Sequence, residues 1–413
     1  MTDLVTLQDI EAARGRIREQ VRVTPLWPTR SLSERLGVPL SLKCENLQRT
    51  GSFKPRGALN MIAATPRPAG VVAGSAGNHA QGVALAASMH QLPATVFMPA
   101  EAPIAKRLAT EGYGAQVELV EGPLSAAIER ARAFAEERGH LFMPPFDHPY
   151  VVAGQGTVGL EILEQEPEVE TLLVPAGGGG LLAGVALAVK SLRSEVRVVG
   201  VQTRAMPGIV DSHRLGRRTT VPAVRTIADG VGVAGPSELT LSLIERYVDD
   251  LVEVPEDAIA RAVVLLIERT KLVVEGAGAL GVAALLTGVA EARGRTVAVL
   301  SGGNIDINLL DRIVERGLLD EGRRQRLTFA AANVPGELAR ITNALAAGGA
   351  NIIEVAHELV VPGLPVGVAR ITVRLDVAGP EGLTRLEVAL LEAGLQRAIE
   401  TDFATDAAAA MPS

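Results

Sequence analysis

From residue 70 to residue 300, short apolar runs rich in Val, Leu and Ile alternate with longer alanine-rich stretches of helical periodicity, a rhythm that a layered α/β fold accommodates. The pairs fall at 70–73 with 78–89, 94–98 with 103–111 and 116–120 with 124–138. The series resumes with 171–175 and its helix, 196–201, 258–268, 278–290 and 296–300. The runs are continuously apolar, as in strands covered by helices on both faces, so mostly parallel open sheets are expected. One stretch, 172–189, carries no charge and approaches the length of a membrane-spanning helix. At its centre Pro175 and Ala176 precede four consecutive glycines, Gly177 to Gly180. An internal glycine costs a helix about 1 kcal/mol and a proline about 3. The stretch therefore reads as buried strand, glycine loop and buried helix, and no membrane partner is expected.

After Asp306 the pattern changes. The charge-rich segment 312–326 ends the α/β series, and a linker is expected at 316–325. Beyond it, 326–332 alternates, 335–347 sets Leu338, Ile341 and Leu345 on one helical stripe, and Gly348-Gly349 stops that helix. Strands at 351–359 and 366–376 and a helix at 383–393 follow. Strand, helix, two strands, helix suits a small ferredoxin-like α+β unit over 326–400, with 401–413 as a loose tail. A chain of 413 residues is long enough for two or three such compact units.

The net charge of -7 and the lack of a long basic run argue against a nucleic-acid partner. The short clusters 214–218 and 323–326 read as solvated loops. The single cysteine, Cys44, excludes an intrachain disulfide and sits in a run that reads as buried strand. A reducing compartment fits. The first 16 residues lack the apolar segment of a secretory signal, so a cytoplasmic location is expected. Six scattered histidines give a metal site no support.

Four features could carry chemistry. Lys54 is one of only five lysines among 40 basic residues, and it stands at a strand-to-helix turn among small residues. Lysine can lose its proton where arginine cannot, which suits a Schiff-base amine; it could equally be a solvated helix-start residue. The glycines 177–180 precede a helix, so free N–H groups and the helix dipole could hold a phosphate, or the loop could be a tight packing turn. Ser75-Ala76-Gly77-Asn78-His79 also joins a strand to a helix; it could cradle a carboxylate, or Ser75 could merely cap the helix. Ser301-Gly302-Gly303-Asn304 follows another strand, and ligands of open α/β sheets bind at such carboxyl ends.

Together these motifs resemble the fold-type II pyridoxal-phosphate enzymes, in particular the threonine dehydratases. The resemblance spans 24–304 and includes Thr24-Pro25-Leu26, Gly154-Gln155-Gly156-Thr157 and Val274-Glu275-Gly276-Ala277-Gly278. It implies a two-lobed catalytic region over 1–315, with a smaller lobe near 45–140. It also implies roles for particular residues. Lys54, beside Phe53, would hold pyridoxal 5'-phosphate covalently. Asn78 would bond the ring hydroxyl oxygen, Gly177 to Gly180 and Leu181 the phosphate, and Ser301, flanked by Gly302 and Gly303, the pyridine nitrogen. Ser75, Ala76, Gly77, Asn78 and His79 would surround the substrate carboxylate, and Glu275 would border the ring. A hydroxyl at Ser301 cannot keep the ring nitrogen protonated, which favours elimination.

The implied activity is conversion of L-threonine, and of L-serine, to a 2-oxo acid and ammonia by a homo-oligomer, dimer or tetramer. Serine racemases resemble the same motifs but carry serine where Ala76 stands, and Val201-Gln202-Thr203-Arg204 lacks their acidic cation-binding cluster. A serine dehydratase, a racemase-like enzyme, a synthase exchanging a β-substituent and a non-catalytic amino-acid sensor are the alternatives. The turn Asn333-Val334-Pro335-Gly336-Glu337-Leu338 resembles that of an ACT domain. It implies an amino-acid effector, isoleucine or valine, bound near Asn333, Gly336, Glu337 and Leu338; otherwise Pro335 only starts a helix and the unit only dimerises.

Overall fold

The computed structural model describes residues 5–395, and the chain divides between Leu310 and Asp311 into two units. In the first unit, α1 (Leu7–Ile17) starts from a capping box in which Thr6 and Asp9 satisfy each other's backbone N–H. β1 (Leu26–Pro28), α2 (Arg30–Leu36), β2 (Leu40–Lys43) and α3 (Lys54–Ala64) follow. A run of strand–helix pairs comes next: β3 (Val71–Gly74), α4 (Asn78–Met89), β4 (Ala94–Pro99), α5 (Ile104–Gly112), β5 (Gln116–Val120), α6 (Leu124–Arg138) and β6 (Leu141–Phe142). The chain continues through α7 (Pro149–Gln165), β7 (Thr171–Pro175), α8 (Gly180–Leu192), β8 (Arg197–Thr203), α9 (Gly208–Leu215) and α10 (Glu238–Tyr247). β9 (Asp250–Val254), α11 (Glu256–Thr270), α12 (Leu280–Thr287) and β10 (Thr296–Val299) complete it.

Two sheets result. β5-β4-β3-β6 is wholly parallel and is inserted in sequence into β1-β2-β10-β7-β8-β9, which is parallel apart from β1 at its edge. The expected α/β series is present, and 172–189 is β7, a glycine turn and most of α8, buried except at Gly177, which is half-buried. No helix of the described residues is long and apolar enough to cross a membrane. The sequence reading passed over α9, α10 and β9. β9 is a half-exposed edge strand that carries Asp250 and Glu253, so it shows no continuous apolar run. Cys44 lies one residue beyond β2, fully buried, and burial pushes its thiol up to about 12, which leaves it inert.

Inside the first unit lies a cluster of four charges that composition could not reveal. Arg56 is fully buried and grips Glu45 with two parallel bonds, Nε to Oε2 and Nη2 to Oε1, both 2.8 Å. Its Nη1 donates to Glu161 Oε1 at 2.6 Å and to Thr157 Oγ1 at 3.1 Å. Lys43 spends its ammonium on Glu161 at 2.6 Å, Thr24 O at 2.8 Å and Gln165 Oε1 at 2.9 Å. Thr24 Oγ1 donates to Glu45 at 2.5 Å. Burial by itself would raise the Glu45 carboxyl, but the Arg56 guanidinium reverses this and holds it below the usual range. Burial outweighs Glu161 at Lys43 and lowers that amine. The cluster ties β2, α3 and α7 together. Gly154 reinforces the join, since a Cβ there would stand 2.5 Å from Arg56 O and 2.6 Å from Gly57 Cα.

In the second unit, α13 (Ile307–Asp320), which spans the division, leads to β11 (Arg324–Ala332), α14 (Glu337–Ala347), β12 (Asn351–Glu358), β13 (Val368–Asp376) and α15 (Gly379–Glu392). The sheet is antiparallel in the order β11-β13-β12, with Phe329, Ile341, Leu345, Ile371, Val373 and Leu386 in its core. Residues 316–325 are not a linker, and 323–326 is not a solvated loop. The charges there are paired: Arg316 bonds Asp320 one turn on at 2.9 Å, and Arg324 bonds Asp376 at 2.9 and 3.2 Å and Glu315 at 3.3 Å. Leu338 keeps the helical spacing of Ile341 and Leu345 but is exposed in the first turn of α14, which begins at Glu337 behind a left-handed Gly336 rather than at Pro335. The expected tail 401–413, and 396–400 before it, lie outside the described residues.

Removing one member of a buried ion cluster strands its partners, at a cost of about 3–5 kcal/mol. Arg56→Met is therefore expected to lower the urea unfolding free energy by about that amount. Arg30→Met, which breaks an exposed pair with Glu34, should leave it unchanged within error.

Candidate active site

The carboxyl ends of β2, β3, β7 and β10 converge on a cavity of about 370 Å³. Lys54, Ser75 to His79, Gly177 to Leu181, Glu275 and Ser301 all line it, so the four motifs separated in sequence share one site. Phe53 lines it as well.

Lys54 reaches the cavity because the chain after β2 turns through Glu45–Leu47 and a left-handed Gly51 (φ +72°) before α3 begins. Its Nζ donates to Pro145 O at 3.1 Å and stands 5.1 Å from the Phe53 ring centroid. Gly82 on α4 lets that helix approach, since a Cβ there would lie 3.1 Å from the Lys54 carbonyl carbon. Burial lowers the amine to about 8 against the opposing charge of Glu275. An appreciable neutral fraction is therefore present near neutral pH. Lys54 is not the solvated residue that its local sequence also allowed.

No side chain caps α8, whose first turn opens from Gly179 in a left-handed conformation (φ +93°). Its early N–H groups face the cavity as an anion cradle. The glycines are required by space as well. A Cβ on Gly178 would enter the Phe146 ring, one on Gly180 would lie 2.9 Å from Phe146 Cβ, and one on Gly179 would meet Thr240 Cβ at 3.0 Å. Thr240 Oγ1 donates to Gly178 O at 2.8 Å and holds the turn.

At the Ser75 turn the structure changes two expectations. Ser75 is not the helix cap: Gly77 occupies that position without a side-chain bond, while Ser75 Oγ accepts from Gly77 N at 3.3 Å. The His79 imidazole is not available to a carboxylate, since it is buried and its Nε2–H donates to Met143 O at 2.8 Å. Burial, with the Lys54 charge adding to it, lowers the ring to about 3, so it stays neutral. Only the His79 backbone, in the first turn of α4, can serve an anion. The Ala76 methyl packs against the core of the smaller sheet.

Ser301 is buried, and its hydroxyl has no hydrogen-bond partner among the described residues. The chain around it is fixed by Phe53 N donating to Ser301 O at 3.1 Å and by a Ser52–Gly302 bridge. Glu275 accepts from Asn78 Nδ2 at 2.8 Å, and a side chain at Gly302 would collide with its carboxylate. Burial, reinforced by the charge of Asp229, raises Glu275 to about 7.

Several residues at or beside the cavity were missed. Asn304, given no role of its own in the motif of Ser301 to Gly303, stands behind the wall and bonds Asn78. Pro145-Phe146 and Asp229 to Val233 carry no motif at all. Lys106 and Asp229, both lining the cavity, pair across it at 2.5 Å. The positions expected to lack a cation-binding cluster are used structurally: Gln202 Oε1 accepts from Ile209 N and Val210 N, and Thr203 Oγ1 donates to Glu256. Among the described residues no group of three or more His, Cys, Asp or Glu could hold a metal. Asn333, Gly336, Glu337 and Leu338 belong to the second unit, on a largely exposed turn where Glu337 is paired with Arg340.

The residues fit pyridoxal phosphate on three counts: a primary amine lining the cavity, an uncapped glycine cradle with no room for Cβ atoms, and an unpaired serine hydroxyl at the cavity wall. Gly178→Ala would overpack the cradle at about 1–3 kcal/mol, so titration of the cofactor-free protein should show affinity for pyridoxal phosphate falling about tenfold. The Glu275 carboxyl, raised from 4.5 to about 7, makes a second expectation. In that interval the folded state keeps a proton that the unfolded state releases, so stability should fall by about 3 kcal/mol as pH rises through it. Glu275→Gln should remove that fall from the pH dependence of the cofactor-free protein.

A family model described as pyridoxal-phosphate dependent enzyme matches residues 17–302. The L-threonine ammonia-lyase of Thermotoga maritima is 45% identical over 397 residues, covering 95% of this chain and 99% of that protein. A solved T.th. threonine deaminase matches with a TM-score of 0.71 at 43% identity, over 73% of this chain and 99% of that one. Maize serine racemase matches with a TM-score of 0.71 at 34% identity, over 77% of this chain and 99% of that one. Since the matched span carries Lys54, the Ser75 turn, the tetraglycine cradle and Ser301, the chain belongs to the pyridoxal-phosphate dependent enzymes.

Proposed function

We propose that the chain is an L-threonine ammonia-lyase that releases 2-oxobutanoate and ammonia and also accepts L-serine. The observation that carries this reading is the pairing, in one cavity, of the Lys54 amine with a serine hydroxyl at Ser301. The 45% identity to the Thermotoga maritima enzyme across nearly the whole of both chains supports it.

When bound, pyridoxal phosphate supplies an electron sink for the pair left at the substrate Cα. Lys54, neutral once unprotonated, takes the Cα proton on Nζ, a task suited to an amine lowered to about 8. The first-turn amides of α4, from Gly77 to His79, orient the carboxylate without help from an imidazole. Ser301 offers a hydroxyl that cannot hold a proton on a ring nitrogen, which favours loss of the β-hydroxyl over amino transfer. Ala76 presents no second base, which separates this site from the racemase alternative. The Cβ–O bond breaks, the hydroxyl takes up one proton, balancing the one removed from Cα, and departs as water, and hydrolysis of the resulting imine consumes one water to give the 2-oxo acid and ammonia.

The second unit is proposed to bind an amino-acid effector, isoleucine or valine, near the Asn333–Leu338 turn, in a homo-oligomeric enzyme. Its order of strand, helix, two strands and helix suits an ACT-like module.

Keto-acid release from L-threonine is the expected activity, and L-serine should be turned over within about 10- to 200-fold of it, since one methyl group is worth about 1–3 kcal/mol. Lys54→Ala should lower turnover by at least about 10³-fold. Full activity in that variant, or binding of threonine with no keto acid formed by the wild type, would leave the sensor reading instead. Deletion of 326–413 should abolish the response to branched-chain amino acids; an unchanged response would remove the regulatory role.

A further inference from the structure

Asn304 stands outside every role assigned so far, although its side chain is held at two points beside the Ser301 loop. Its Nδ2 donates twice, to Thr50 O at 2.6 Å and to Asn78 Oδ1 at 2.8 Å. The direction of both bonds is forced. A backbone carbonyl can only accept, so the atom facing Thr50 must be the amide nitrogen. The same NH₂ then faces Asn78, which must answer with Oδ1. The Asn78 NH₂ is left pointing the other way, and one of its hydrogens is taken by Glu275 Oε1 at 2.8 Å. No described residue takes the second hydrogen, and Asn78 lines the cavity.

The backbone is built around this arrangement. Gly51 lies in the left-handed region (φ +72°), and a Cβ there would fall 2.5 Å from Asn304 Oδ1. Gly303 N donates to Gly51 O at 2.8 Å, which clamps the loop before Lys54 to the loop after β10. The Thr50-Gly51 step therefore supplies both the fixed acceptor and the space that Asn304 occupies.

We infer that Asn304 is a positioning residue that locks the Asn78 amide with its NH₂ toward the cavity, so that Asn78 always donates to the bound ring. The inference rests on the pyridoxal-phosphate site described above. Its chemistry is one-directional: an acceptor at position 304 would face the Thr50 carbonyl and the Asn78 carbonyl together. Asn78 would turn over to answer it, and its oxygen would meet the Glu275 carboxylate. A donating wall would become an accepting one.

The test is a double-mutant cycle on full-length protein stripped of cofactor, with Asn304→Asp, Asn78→Ala and the pair. The readouts are the dissociation constant for pyridoxal phosphate and the pH midpoint of the bound cofactor's absorbance. Each single change should weaken binding about tenfold, the worth of one or two hydrogen bonds, and should shift the midpoint. The double variant should bind no more weakly than Asn78→Ala alone. Independent, additive losses would overturn the inference, as would Asn304→Asp binding like the wild type. If Asn304→Asp does not fold, Asn304→Ser, which keeps one donor, enters the same cycle with the same criteria. A wild-type protein with no saturable cofactor absorbance would instead sink the cofactor site itself, and the inference with it.

Discussion

The two-carboxylate grip on Arg56 sets the position of everything that reacts. Arg56 lies two residues beyond Lys54 on the same first turn of α3, and its guanidinium is shared between Glu45 after β2 and Glu161 on α7. Two positive and two negative charges are enclosed with nearly all their hydrogen-bonding capacity used, so no member can move without stranding another. Such clusters add little net stability compared with a well-packed apolar core, but they impose one geometry. Here that geometry places the Lys54 amine. Close helix contacts carry it onward: Gly154 admits α3 against α7, and Gly184 admits α7 against α8, where a Cβ would stand 2.7 Å from Gly156 N. The amine and the tetraglycine cradle at the head of α8 are thereby held by one rigid stack.

Within that frame the site separates charge states that would coincide in water. Burial keeps His79 neutral and brings both Lys54 and Glu275 toward neutrality, from opposite sides. The cavity thus offers one amine able to give up its proton, a hydroxyl that never charges, and an amide wall whose direction is fixed. Lys106 and Asp229 supply the remaining charged pair at the same cavity. Of the two groups in the cavity brought near neutral pH, Lys54 at about 8 is the stronger base and Glu275 at about 7 the weaker.

Much of this was legible in the sequence. The strand and helix series was readable because strands buried on both faces are continuous apolar runs, and the four motifs were readable because each combines a strand end with unusual residues. Their meeting in one cavity follows from parallel topology, which puts every such turn at the same edge. Side-chain direction was not legible. His79 stands in a motif that suggests a ligand, yet its imidazole turns to Met143 O, a partner 64 positions away. Ser75 reads as a helix cap, but Gly77 takes that position. The four-charge cluster joins residues up to 118 positions apart, and no local pattern announces it. Charge at 312–326 suggested a linker because a paired, amphipathic helix and strand look the same in composition as a solvated loop.

The central claim is that this buried framework delivers one particular amine to the cofactor. Reductive trapping of bound pyridoxal phosphate with borohydride, followed by peptide mapping, tests it directly, because the chain offers only five lysines to choose among. The account predicts a single modified peptide, 50–56, carrying the pyridoxyl group on Lys54. Modification at Lys43, Lys106, Lys190 or Lys271, or no stable modification at all, would contradict it.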